Sequence, residues 1–163
     1  MEHLPKNILE MTRKIVLEAS EWMLRDDFVV EQKGSVVNIV TSADKQVQHF
    51  LELRLPELLP GSQVFGEEGT EAVRQAEYLW IVDPIDGTMN YARGIGQSAI
   101  SVALTQNGQP LIGVVYNPFH QELFTAKKGE GAWLNGPPIR VSQASFAEGL
   151  FCTAWSTYNK TYA

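Results

Sequence analysis

Cysteine is almost missing: Cys152 is the only one in 163 residues, so no disulfide can form within the chain, and a reducing, cytoplasmic setting is expected. Set between Phe151 and Thr153, it reads as a small buried residue. Histidines are few and scattered. His3, His49 and His120 have no ligand spacing and are read as packing or surface groups. Positive charge is also in the minority, with 13 basic against 19 acidic residues and a net charge of -6. That balance argues against nucleic acid as a partner and is compatible with cation binding.

Long apolar runs are absent as well. The opening MEHLPKNILEMTRK mixes charges of both signs and has no stretch of signal-peptide type. The window from Gly94 to Gln121 has no charged residue, yet Gln97, Ser98, Ser101, Asn107 and Pro110 interrupt it. A membrane span needs about 18 uninterrupted apolar positions, so none is expected. There is no internal repeat and no low-complexity linker. The length suits one domain that needs neither a disulfide nor a structural metal to fold.

What is present is an ordinary globular pattern. Ile8, Met11, Ile15, Ala19, Trp22 and Met23 follow the spacing of an amphipathic helix, expected from Ile8 to about Phe28. The polar stretch EQKGSVVN interrupts it. Thr41 with Asp44 three positions on forms a capping box for a second helix, whose buried stripe is Val47, Phe50, Leu51, Leu55 and Leu58. Pro56 is expected to end or kink that helix. Two extended runs, SQVFG and EYLWIVD, come next, and both end in acid. SAISVALT and PLIGVVYN flank Asn107-Gly108, a hairpin signal, and QELFTAKKG and GAWLNG read as further strands. The fold class is α+β, two N-terminal helices packed on an antiparallel sheet. The tryptophans read as core or interface packing.

Chemistry concentrates in WIVDPIDGTMNY, residues 80 to 91. Carboxylates at the end of an apolar strand emerge at the rim of a sheet, where an uncompensated charge costs several kcal/mol. No basic residue lies in the motif before Arg93, so a divalent cation is the natural partner of Asp83 and Asp86, and oxygen ligands suit magnesium or calcium. Pro84 fixes the backbone between them and can turn the Ile85 carbonyl toward the same ion. Glu67 and Glu68 end the other run and converge on these acids if the strands are neighbours. Gly87 and Thr88 supply the complementary half, because backbone N–H groups at a strand-to-helix turn favour an anion such as phosphate. Two cations about 3.5–4 Å apart polarise a phosphoryl oxygen and activate water, with the Thr88 hydroxyl orienting the water. A plain turn with solvated caps is the competing reading. A calcium loop of EF-hand type is excluded, since the twelfth position from Asp83 is Gly94 rather than a bidentate glutamate.

GEE at 66 to 68 followed by WIVDPIDGTMNY closely resembles the signature of the inositol monophosphatase family of magnesium-dependent, lithium-sensitive phosphatases. NIVTSAD at 38 to 44, IGVVYNP, LFTAKKGEGAWLNG and IRVSQ follow in the family's order. The resemblance implies the N-terminal portion of the layered αβαβα sugar-phosphatase fold. It makes Glu67, Asp83 and the Ile85 carbonyl ligands of one magnesium, with Asp83 bridging to a second ion that Asp86 binds. Two or three ions are implied in all. Ile85, Asp86, Gly87 and Thr88 would then face the substrate phosphate, and Thr88 would align the nucleophilic water. Glu68 is implied as a neighbouring acid of the metal-water shell, its competing reading being a solvated loop charge.

Two departures stand out. Where the family has an acid accepting a hydrogen bond from the threonine, the resemblance places Asn38, which accepts that bond but takes up no proton at neutral pH. Either water activation is weakened or Asn38 only orients Thr88. Lys33 is read as a screening charge near the anion site or, more simply, as a solvated lysine. Second, no counterpart of the family's later WDxAAG motif occurs, so residues 1–163 are expected to be the N-terminal α+β metal-binding portion of an enzyme whose C-terminal α/β half is absent. The expected function is hydrolysis of inositol monophosphate or a similar small sugar phosphate by attack of metal-activated water, without a covalent intermediate. The alternatives are a fructose-1,6-bisphosphatase or nucleotide 3′-phosphatase of the same family, or a truncated noncatalytic metal-binding relative. The implied partner is a small phosphorylated substrate, with neither nucleic acid nor membrane, and the implied assembly a homodimer.

Overall fold

The computed structural model describes residues 4–35, 38–68 and 76–150, and the side chains of 33–35 and 38 lie outside that description. Cys152 and His3 fall outside it too. The first helix, α1, runs over Ile8–Ser20, shorter than its periodicity predicts. Turns at Glu21–Leu24 close it, and the Ser20 hydroxyl donates to the Leu17 carbonyl at 2.7 Å, diverting a polar group from continuing the helix. The following acidic pair Asp26-Asp27 has low helix propensity. EQKGSVVN, read as a mere interruption, contributes to a hairpin of β1 (Val30–Ser35) and β2 (Asn38–Thr41).

The second helix, α2, covers Ser42–Leu58, and its capping box is formed as expected: Thr41 accepts from the Asp44 N–H while the Asp44 carboxylate accepts from the Thr41 N–H. Val47, Leu51 and Leu55 are fully buried, whereas Phe50 and Leu58 are half-buried. Pro56 is accommodated in the last turn, two residues before the helix ends.

Seven strands form one sheet in the order β3-β4-β5-β6-β7-β8-β9. They are β3 Gln63–Gly66, β4 Tyr78–Asp86, β5 Ala99–Gln106, β6 Gln109–Asn117, β7 Glu122–Lys127, β8 Gly131–Leu134 and β9 Pro138–Ile139. The sheet is antiparallel as expected, with one difference: β3 pairs with β4 in parallel. A parallel pair needs a crossover connection, and the chain between these two strands includes residues 69–75, which lie outside the described residues. The turn joining β5 to β6 has the positive φ values its Asn-Gly pair demands, 49° at Asn107 and 76° at Gly108. α1 and α2 lie on one face, over β6 and β4 respectively. Trp80, Ile100, Val102, Leu104 and Val114 point at them and are all at least 98% buried. Burial of each such side chain contributes about 1.5–3 kcal/mol. No helix among the described residues is long and apolar enough to cross a membrane.

Candidate active site

β4 delivers the acids. Its side chains alternate, with Trp80 and Val82 buried against the helices and Ile81 exposed on the opposite face. In a regular strand Asp83 and Asp86, three apart, would point to opposite faces. The ladder to β5 breaks between them: Asp83 lies opposite Ser101 and Asp86 opposite Ala99. Pro84, which has no N–H to give the ladder, sits in that break. The irregularity is what brings both carboxylates within electrostatic reach of each other.

β3 delivers Glu67 by register. Gln63 pairs with Leu79 and Gly66 with Val82, and the same offset carries Glu67 alongside Asp83. The Glu67 N–H continues the ladder to the Val82 carbonyl at 3.2 Å. The two extended runs are thus neighbours, and their acids converge. The Asp83 carboxyl is pushed up to about 7, first by burial, then by the charges of Glu67 and Asp86 and a hydrogen bond shared with the Glu67 side chain. Its Oδ1 is buried without a hydrogen-bond partner. An orphaned carboxylate oxygen between two further acids is a donor set that fits a hard divalent cation. Among the described residues, no three acidic or histidine side chains close onto one point in ligand geometry. Carboxylates with no cation between them repel, and two that share a hydrogen bond need a proton to do so.

The other half of the site follows β4. Gly87 has φ +84°, and a Cβ there would lie 2.8 Å from the Gln97 carbonyl oxygen. A one-turn helix, α3 (Thr88–Tyr91), starts at once, leaving its first N–H groups without intrahelical acceptors. The Thr88 hydroxyl is placed between the Ile85 carbonyl oxygen at 3.0 Å and Asp44 Oδ1 at 3.2 Å. Behind it, Tyr91 is buried against Phe28 with ring centroids 4.7 Å apart.

Asp44 is the residue that sequence reasoning missed. It serves as a helix cap and also as the acid beside Thr88, the role assigned to Asn38 on resemblance. That assignment is corrected here: Asp44 fills it, and the Asn38 side chain, like that of Lys33, lies outside the described residues. Only 1% exposed, Asp44 accepts from the Thr41 N–H at 2.8 Å, from the Thr41 hydroxyl and from Thr88. Burial raises its pKa, three hydrogen bonds pull it back down, and the charge of Glu68 adds to the rise. The signal was available, because NIVTSAD ends on Asp44 and a capping carboxylate has a second oxygen free to bond elsewhere. The predicted residues Glu67, Asp83, Ile85, Asp86, Gly87 and Thr88 all fall in one region, and Glu68 borders it.

Against known proteins, the Inositol monophosphatase family model matches residues 7–162. The chain belongs to the inositol monophosphatase family. Inositol monophosphatase 3 of Solanum lycopersicum is 42% identical over 133 residues, covering 78% of this chain and 49% of that protein. Among solved structures, extragenic suppressor protein suhB of Bartonella henselae superposes with a TM-score of 0.79 at 32% identity, over 85% of this chain and 56% of that one. An IMPase/NADP phosphatase solved with Mg2+ and phosphate superposes with a TM-score of 0.65 at 30% identity, over 80% and 48%. The chain therefore spans about half the length of the relatives it matches.

Proposed function

We propose that the intact gene product is a magnesium-dependent phosphomonoesterase acting on inositol monophosphate or a similar small sugar phosphate. The observation that carries this reading is the buried, unpartnered Asp83 Oδ1 set between Glu67 and Asp86. Glu67, Asp83, the Ile85 carbonyl and Asp86 are the groups that would hold the ions, two or three in number. Magnesium bound there supplies a polarised phosphoryl oxygen and a more acidic water.

The remaining steps belong to the chain itself. Backbone N–H groups of Gly87 and Thr88 bind the phosphate, with Ile85 and Asp86 lining the same edge. The Thr88 hydroxyl has one proton. Donated to Asp44 Oδ1, it leaves the oxygen lone pairs to accept from the attacking water and fix its direction. Asp44 is held in turn by Thr41. Glu68 is assigned a supporting place at the edge of the water shell. No side chain in this arrangement is called on as a nucleophile, so transfer to water is direct.

Phosphate release from inositol monophosphate by the intact gene product tests this, with and without magnesium and with Asp86→Asn. Magnesium-dependent release that the substitution reduces at least a hundredfold is expected. Turnover independent of both would contradict the reading. The similarity to an IMPase/NADP phosphatase makes nucleotide phosphates the second class to assay, with fructose-1,6-bisphosphate as the third. A homodimer and a cytoplasmic location belong to the same proposal, the latter resting on the single cysteine.

A further inference from the structure

One turn beyond Asp44 on the same helix stands Gln48, only 4% exposed. Its side-chain amide reaches across to the turn that follows β3. The Oε1 atom accepts from the Glu68 N–H at 2.8 Å, and Nε2 donates to the Glu68 carbonyl at 2.6 Å. Nε2 also donates to Glu52 Oε1 at 2.9 Å, which fixes which end of the amide faces which group. The pair of bonds copies what a neighbouring strand would offer. Among the described residues β3 is the edge strand of the sheet, the place where a partner of this kind can be added.

Gly66 makes the approach possible. A Cβ at that position would lie 2.4 Å from Cδ and Oε1 of Gln48 and 2.7 Å from Nε2. Its φ is not in the left-handed region, so the glycine is needed for space rather than for backbone conformation. The segment 66–68 is consequently gripped from both sides. Glu67 donates to Val82 on β4, and Glu68 is bonded to Gln48 on α2.

We propose that Gln48 is a positioning residue for the metal site, its amide clamping the Glu68 backbone so that Glu67 is presented to Asp83. This rests on the metal-binding reading given above. Without the clamp the turn gains freedom, and a cation must order it on binding, which lowers affinity. Removing such an outer support generally costs about 10–100-fold in metal affinity.

The test measures magnesium affinity by calorimetry for the intact wild type, Gln48→Leu and Gly66→Ala, alongside melting temperatures in chelator and hydrogen exchange at the Glu68 amide. Leucine removes both bonds to Glu68 and the one to Glu52 at similar volume, while alanine at 66 displaces the amide without altering it. Both variants are expected to bind magnesium about tenfold more weakly or worse, with the Glu68 amide exchanging faster. A merely structural glutamine would lower the melting temperature in chelator and leave the magnesium affinity of the folded protein unchanged, and that result overturns the proposal. If Gln48→Leu does not fold, Gly66→Ala carries the same expectation. In the wild type the Glu68 amide must be protected in chelator, and rapid exchange there also overturns it. Wild type that binds no magnesium refutes the metal reading itself, whereas normal wild-type binding matched by both variants refutes the clamp alone.

Discussion

At the scale of single residues, two carboxyls with different surroundings divide the work. Asp44 is enclosed by donors, so it stays fixed and directs Thr88. Asp44→Asn keeps the shape but turns one acceptor oxygen into a donor amide. Turnover of the intact gene product is expected to fall about a hundredfold, the scale of a misoriented attacking group, with magnesium affinity held within a few-fold. Steady-state kinetics with a magnesium titration checks both halves. Asp83 is instead surrounded by like charge. Its ordinary value of 3.8 rises to about 7 in the folded chain, so between these limits the folded form holds a proton that the unfolded form has released. The contribution of Asp83 to the stability of the metal-free protein is then fully present below about pH 4 and is lost as the pH climbs through 7. Melting curves in chelator are expected to show a falling melting temperature over that window, and Asp83→Asn to flatten the fall.

At the scale of elements, the site depends on irregularities that interrupt regular structure. The break at Pro84 and the left-handed Gly87 turn β4 into α3 within two residues. Gly87→Ala is expected to destabilise the chain by about 1–2 kcal/mol for the backbone conformation alone, and more because the new methyl meets the Gln97 carbonyl. Chemical denaturation measures the total. Elements with a strong local signal were legible in the sequence: α2 through its capping box, the β5–β6 hairpin through Asn-Gly, and the acids through their place at strand ends. The end of α1 was not, since Trp22 and Met23 keep the apolar spacing although the chain has already left the helix. Met23 is buried all the same, so burial and helical state part company there. The parallel β3–β4 pair was equally hidden, because strand direction is set by the crossover and not by either strand's composition. Asp44 was misjudged because its local task, capping, concealed its long-range one: Thr88 is 44 residues away.

At the scale of the whole molecule, helices on one face of the sheet and a parallel edge pair at its end place three acidic side chains from β3, β4 and their turns in one corner. That corner fits cations by charge and by its orphaned oxygen. The most direct test is anomalous diffraction from crystals of the intact gene product soaked in manganese, a heavier stand-in for magnesium with the same preference for oxygen ligands. A peak bounded by the Glu67 and Asp83 carboxylates and the Ile85 carbonyl is predicted. Manganese bound only elsewhere, with Glu67, Asp83 and Asp86 turned to separate regions of solvent, would contradict it.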